Sequence, residues 1–207
     1  LKKSKAIILV DTREQKPYWD LKNLDEGQSF EYPSGLKMRR EALKTGDYTL
    51  EGLEDKFAIE RKSLSDIYGC VGGGRERFTK ELMRARTFRA LISDEEIEQK
   101  LKKCKTEPSK ALLEAIAKPP TFLDFVILVE TTPEKFLTPW KVQCQLHPNH
   151  LRGAVYHWRR KYGIRWQFVG TRAEGRDYVF DQLKEWWVEH EMGLWTPVEK
   201  KKEVKKV

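Results

Sequence analysis

The sequence predicts an α/β protein, a mixed central sheet flanked by helices. A continuous apolar run at residues 6–10 and a return of the same pattern at 122–129 have the length and composition of strands buried on both faces. Between and after them, apolar residues recur at helical spacing in segments bounded by cap and breaker residues.

The first strand ends abruptly in Asp11-Thr12-Arg13-Glu14. Polar residues just past the carboxyl end of such a strand lie where open α/β sheets place ligands. Asp11 is therefore a candidate for an acidic cluster, and Arg13 or Glu14 for binding phosphate or holding neighbouring side chains. A charged exit loop is the plainer alternative.

Residues 48–51 and 56–61 read as two strands joined by the polar turn Gly52-Leu53-Glu54-Asp55. With Glu51 opposite Lys56, Asp47 falls directly across from Glu60. Opposed side chains project from one sheet face with Cβ atoms roughly 5 Å apart, so two carboxylates there reach one small hard cation at oxygen distances of about 2.1 Å. Without a cation they repel. Lys62 faces the same way as Glu60, about 7 Å farther along the strand. Two acids and an ammonium aimed at one place suit phosphodiester hydrolysis, in which a divalent ion polarises the phosphate and lowers the pKa of a bound water. Lys62 then orients that water or neutralises charge on the phosphorus oxygens. Phe57 and Ile59 alternate with the polar residues and are expected to face the core, leaving the other face catalytic. The alternative is a half-exposed hairpin with a surface Glu and Lys.

Ser63 or Ser65 caps a short helix that runs to the glycines at 69–74. No Lys-Ser or Lys-Thr follows these glycines, so they read as a hinge and not a nucleotide loop. A second helix over 76–88 turns Phe78, Leu82 and Ala85 inward, and its outer stripe of Arg77, Lys80 and Arg84 follows a DNA backbone or faces solvent. Two further helical patterns, Ile97-Leu101-Cys104 and Leu112-Leu113-Ile116, are split at Glu107-Pro108 and ended by Pro119-Pro120. After the strand at 122–129, Asn149 is expected to cap a helix that buries Leu151, Val155, Trp158 and Tyr162, with outward charge among Arg152, Arg159 and Arg160. Residues 164–169 form another strand. Thr171-Arg172-Ala173-Glu174 is a capping box opening a last helix whose apolar face carries Val179, Leu183, Trp186 and Trp187. That face packs on the sheet or pairs with another subunit.

Asp11-x-Arg13-Glu14, Gly46-Asp47-Tyr48, Glu60-Arg61-Lys62-x-x-x-Asp66 and Gly74-Arg75 resemble the successive motifs of the XPF-type nuclease family, which includes the archaeal Hef nuclease. His147-Pro148-Asn149 and Arg152-Gly153-Ala154, then a helix, a Gly-Ile turn into a strand and a final amphipathic helix, are similar to the end of the Hef nuclease domain. The resemblance spans nearly all of residues 5–190. It implies a restriction-endonuclease-like fold, dependence on Mg²⁺ or Mn²⁺, and cutting of branched or flapped DNA. It also implies that Asp11, Asp47 and Glu60 form the metal-binding acidic cluster with Lys62 at the water, that Arg13, Glu14, Arg61 and Asp66 support them, and that nuclease domains pair through their last helices as a homodimer or with a partner subunit. Arg75 is expected to aim at a DNA phosphate. Two departures stand out: a helical insertion near 90–122, and no tandem helix-hairpin-helix region within residues 1–207.

Composition agrees with one domain over 1–193 and a basic tail over 194–207. Lys and Arg outnumber Asp and Glu by 40 to 32, a net +8 with a pI near 9.3, which favours an anionic partner. The tail's five lysines against two glutamates supply +3 of this, either as salt-sensitive affinity for nucleic acid or as a solubilising end. No apolar run approaches the roughly 18 residues of a membrane span, and residues 1–5 have no signal-peptide pattern. Cys70, Cys104 and Cys144 are too dispersed for a zinc motif and fit a reduced intracellular compartment, cytoplasm or a eukaryotic nucleus. His147 and His150 lack partners at ligand spacing and read as capping or core residues. Three functions remain in view: a metal-dependent endodeoxyribonuclease, a catalytically silent DNA-binding or scaffold subunit, and a four-way-junction resolvase. The silent subunit predicts a broken acidic cluster, and here the acids are intact.

Overall fold

The apolar run at the start of the chain becomes a central strand because both of its faces are covered: Ile8, Leu9 and Val10 are all buried. The computed structural model describes residues 6–21, 24–31, 37–103, 108, 113, 122–138 and 146–192. Seven strands form one sheet, β1 (Ile7–Asp11), β2 (Ser29–Glu31), β3 (Lys37–Glu41), β4 (Tyr48–Leu50), β5 (Phe57–Ser63), β6 (Asp124–Glu130) and β7 (Arg165–Val169). They lie in the order β2-β3-β1-β4-β5-β6-β7. β1 runs parallel to β3 and antiparallel to β4, while β5, β6 and β7 run parallel to one another. The sheet is therefore mixed, as expected.

Among the described residues six helices flank it: α1 (Leu64–Val71), α2 (Arg75–Arg84), α3 (Asp94–Lys102), α4 (Pro133–Leu137), α5 (Pro148–Tyr162) and α6 (Arg172–Glu191). Phe57, Ile59, Val126 and Leu128 point to one side, where Val179, Leu183 and Trp186 of α6 cover them. The Phe57 and Trp186 rings stack at 4.5 Å between centroids, and each aromatic buried there contributes about 2 kcal/mol of transfer free energy. Ala58, Phe125, Ile127 and Val129 point to the other side, against Ile67, Phe78, Leu82, Leu151 and Trp158 from α1, α2 and α5.

The β4–β5 hairpin has the expected register: Tyr48 pairs with Ile59, the alignment that sets Glu51 against Lys56. β2 and β3 carry no comparable sequence signal. In β3 Met38 is the single buried residue, and all of β2 is exposed, so the alternation that marks a half-buried strand is missing. α4 was likewise unread, a short turn capped by Thr132 with Pro133 at its first position.

The cap of α5 differs from expectation. His147 takes that position and its Nδ1 accepts the Asn149 backbone N–H at 3.2 Å, while the Asn149 side chain accepts from Arg152. The inward stripe Leu151, Val155, Trp158 and Tyr162 is buried as read. The Thr171–Glu174 capping box is present, and Val179, Leu183 and Trp186 are buried, with Trp187 half-buried. Of the insertion, α3 buries Ile97 and Leu101. The second pattern lies outside the described residues apart from the exposed Leu113, as do Cys104, Cys144 and the tail. No helix among the described residues is long and apolar enough to cross a membrane.

Candidate active site

Gly46 makes the turn into the site. Its φ of +88° is a conformation L side chains avoid, and a Cβ there would lie 2.8 Å from the Ala58 Cβ. The close approach seats Asp47 against β5. Its backbone N–H donates to the Ile59 carbonyl at 2.8 Å, and its Oδ2 accepts the Arg61 backbone N–H at 2.7 Å.

Side chains alternate along β5 and divide its polar end between two faces. Glu60 and Lys62 follow Ala58 onto the α1–α2 side. Lys62 Nζ donates to Glu60 Oε1 at 2.5 Å and lies 3.1 Å from Glu81 Oε1, above the Phe78 ring. The face expected to be open is thus partly roofed by α2, and the Lys62 and Glu60 side chains are 14% and 13% exposed. Glu81 was missed in the sequence, where it stood inside a charged run. Its signal was spacing, because it shares the inward stripe of Phe78, Leu82 and Ala85.

Electrostatics sets this pair of acids apart. Burial pushes Asp47 up to about 7, with the Glu14 charge adding to it and the Arg61 N–H, Lys62 and Arg61 opposing. Burial also raises Glu60 well above the usual carboxylate range, helped by the charges of Asp47 and Glu81. Burial works against the Lys62 ammonium, yet the Glu60 and Glu81 carboxylates outweigh it and raise its pKa. Lys62 therefore holds its proton at neutral pH.

Arg61 turns to the α6 side. Its guanidinium donates to both oxygens of Glu14, at 3.1 and 3.0 Å, and to Glu130 Oε2 at 2.8 Å. Arg172 reaches the same Glu130 at 3.4 Å and the carbonyls of Lys16 and Pro17. Glu14 and Arg61 are thus a clamp that fastens the loop after β1 to the sheet. Glu130 and Arg172 complete it, and neither was singled out as a site residue in the sequence.

Asp11 lies at the end of β1, 1% exposed. Its carboxylate accepts the Arg13 backbone N–H at 2.6 Å, the guanidinium Nε at 2.9 Å and Nη2 at 2.5 Å. Arg13 is itself 70% exposed, and its pKa is raised first by the bond to Asp11 and further by the charges of Glu60 and Asp47. It lies within the electrostatic field of the acidic pair. Asp66 is a capping residue: it closes the α1 capping box, accepting from the Ser63 N–H at 3.0 Å. Arg75 opens α2 after the glycine turn, exposed and 5.5 Å from the Trp158 ring centroid. Arg77 is exposed, Arg84 half-buried, and Lys80 bridges Glu76 at 3.2 Å.

A divalent cation fits the Asp47–Glu60 pair on chemical grounds, since two largely covered carboxylates with raised pKa values in one field are relieved by positive charge. The expected trio with Asp11 is not preassembled. Among the described residues no three His, Cys, Asp or Glu side chains are gathered so as to hold a metal, and Arg13 occupies the Asp11 carboxylate.

The mixed seven-stranded sheet with helices on both faces has the architecture of a restriction-endonuclease-like α/β fold. The chain is similar in structure to XPF from Aeropyrum pernix in a complex with DNA, with a TM-score of 0.52 and 18% identity over 87% of this chain and 64% of that one. It is also similar to XPF from Aeropyrum pernix on its own, with a TM-score of 0.54 and 18% identity over 97% of this chain and 70% of that one. This chain thus spans less than two-thirds of the first structure's length, and it shares the XPF-type fold. No family model matches the sequence, and no curated protein matches it.

Proposed function

We propose that this protein is a metal-dependent DNA endonuclease that hydrolyses phosphodiester bonds in branched or flapped DNA. The observation that carries the reading is the half-buried Asp47–Glu60 pair, both carboxyls raised, with the Lys62 ammonium bonded to Glu60, set in an XPF-type fold. Mg²⁺ or Mn²⁺ held there supplies Lewis acidity and an activated water. Asp47 and Glu60 would hold the ion through carboxylates that lie in each other's electrostatic field and are largely covered by the fold. Lys62 stays protonated, so it neutralises charge on the phosphorus oxygens and is not the general base. Arg61, Glu14 and Glu130 hold the strand end and the adjacent loop in place, and Arg75, Arg77, Lys80 and Arg84 on α2 meet the DNA backbone through sequence-independent contacts.

Exposed Phe180, Val188 and Met192 on and just beyond α6 support pairing with a second copy or a partner subunit, which sedimentation at tens of micromolar tests. The functional test is a panel of flap, fork and four-way-junction DNAs incubated with Mg²⁺, Mn²⁺ or chelator. Asp47→Asn and Glu60→Gln are each expected to abolish metal-dependent cleavage and leave DNA binding largely intact. Cleavage unchanged in either variant refutes the role given to that residue, and cutting confined to four-way junctions identifies a resolvase.

A further inference from the structure

The Lys62 ammonium is gripped from both sides. Glu60 holds it at 2.5 Å from its own strand, and Glu81 faces it at 3.1 Å from α2, with the Phe78 ring centroid 5.4 Å away. Glu81 is 19% exposed at its side chain, and its Oε1 is covered by protein yet makes no directed hydrogen bond. It is in ion-pair range of Lys62 without being spent on a tight bond. An acid on the core-facing stripe of an otherwise amphipathic helix is costly to bury. Phe78 and Leu82 on either side of it are buried, so the packing of α2 fixes where Glu81 points.

Glu60 faces two demands. Its Oε1 is committed to Lys62, and the reading above assigns the same carboxylate to a divalent cation. An ammonium hydrogen-bonded to a ligand oxygen competes with the metal for its lone pairs and charge. Glu81 offers the ammonium a second carboxylate already 3.1 Å away.

The geometry points to Glu81 as a positioning residue that takes the Lys62 ammonium when a divalent cation claims Glu60. This rests on the proposed nuclease function and names the group that lets metal and lysine share one carboxylate. Glu81 thereby keeps Lys62 beside the reacting phosphate and does not itself touch substrate.

The test is calorimetric titration of the full chain with Mn²⁺, without DNA, for wild type, Glu81→Gln, Lys62→Met and the double variant. Glu81→Gln is expected to weaken Mn²⁺ binding about tenfold. In the Lys62→Met background most of that penalty should disappear, because no ammonium is left to compete. In cleavage, Glu81→Gln should lower kcat with little change in KM for DNA, and Glu81→Asp, which keeps the charge, should recover part of the loss. An equal penalty with and without Lys62 means that Glu81 acts through its charge alone and overturns the inference, as does Mn²⁺ affinity unchanged in Glu81→Gln. Should Glu81→Gln melt early, Glu81→Asp is titrated with Mn²⁺ in its place, with and without Lys62, and a penalty that does not depend on Lys62 counts against the role. A wild-type protein that neither binds Mn²⁺ nor cuts DNA sinks the nuclease reading itself, whereas wild-type activity with an indifferent Glu81 sinks this inference alone.

Discussion

Arg61 donates its backbone N–H to the Asp47 carboxylate at 2.7 Å while its guanidinium grips Glu14 and Glu130 on the opposite face of the sheet. One residue thus seats a site acid with its main chain and fastens the loop after β1 with its side chain.

Arg61→Lys separates these two roles. The main-chain bond survives, but a lysine cannot reproduce the forked contacts to two carboxylates. The Arg61 and Glu14 side chains are 10% and 5% exposed, so the acids would be left buried and underpaired at a cost of about 3 kcal/mol. Chemical denaturation is expected to show this loss, and a stability within about 0.5 kcal/mol of wild type would disprove the clamp.

The metal-free protein should be strained by its own acids at neutral pH. Asp47 is raised to about 7 by burial and the Glu14 charge, against an unfolded value near 4. A carboxyl raised on folding contributes stability that is fully present below about pH 4 and is lost as the pH climbs through about 7. Asp47→Asn keeps an oxygen for the Arg61 N–H and has no charge to suppress. In thermal melts without metal, its stability relative to wild type should therefore rise from pH 4 to pH 8. A difference that is flat across this range would show that Asp47 is not destabilised in the folded state.

The hairpin was legible because register follows from turn length and alternation: once Glu51 faces Lys56, Tyr48 must face Ile59, and the structure has that pair. The same register set Asp47 across from Glu60, whereas Gly46-Asp47 and Glu60-Arg61-Lys62 were legible as motifs through their resemblance to a nuclease family. Alternation also implies that Arg61 leaves the face of Glu60 and Lys62, although its partners there come from distant loops that no local pattern predicts. Glu81 was hidden because a charge run reads as a solvated face, and only packing of α2 turns one of its acids inward. β2 and β3 escaped because a strand with one buried residue, or none, has no period to detect.

Glycine positions offer a graded check on the turn into the site. Gly46 and Gly52 both have positive φ, +88° and +84°, but a Cβ meets Ala58 Cβ at 2.8 Å in the first and nothing within 4 Å in the second. Gly52→Ala should cost about 1 kcal/mol for the backbone alone. Gly46→Ala adds overpacking against β5 and should cost about 3 kcal/mol, with Mn²⁺ binding weakened because Asp47 is displaced. Equal costs in urea denaturation would mean that the close approach of the two strands is not what Gly46 serves.

Arg13 decides whether Asp11 joins the metal. Asp11 is nearly inaccessible and holds three hydrogen bonds from Arg13, so in the wild-type protein Asp11→Asn should reduce Mn²⁺ affinity far less than Asp47→Asn does. Arg13 is 70% exposed, and solvent screening keeps its hold on Asp11 weak in free energy even though the contacts are short. Removing it in Arg13→Ala frees the carboxylate of Asp11, a residue whose backbone N–H is bonded to the Asp47 carbonyl, and should tighten Mn²⁺ binding several-fold, about 1 kcal/mol at ordinary screening. Loss of a nearby positive charge would tighten binding even if Asp11 stayed out, so the deciding variant is Asp11→Asn in the Arg13→Ala background. If Asp11 enters the coordination sphere once released, that second change erases the gain; if the gain persists, the cluster is a two-carboxylate site and Asp11 belongs to the loop.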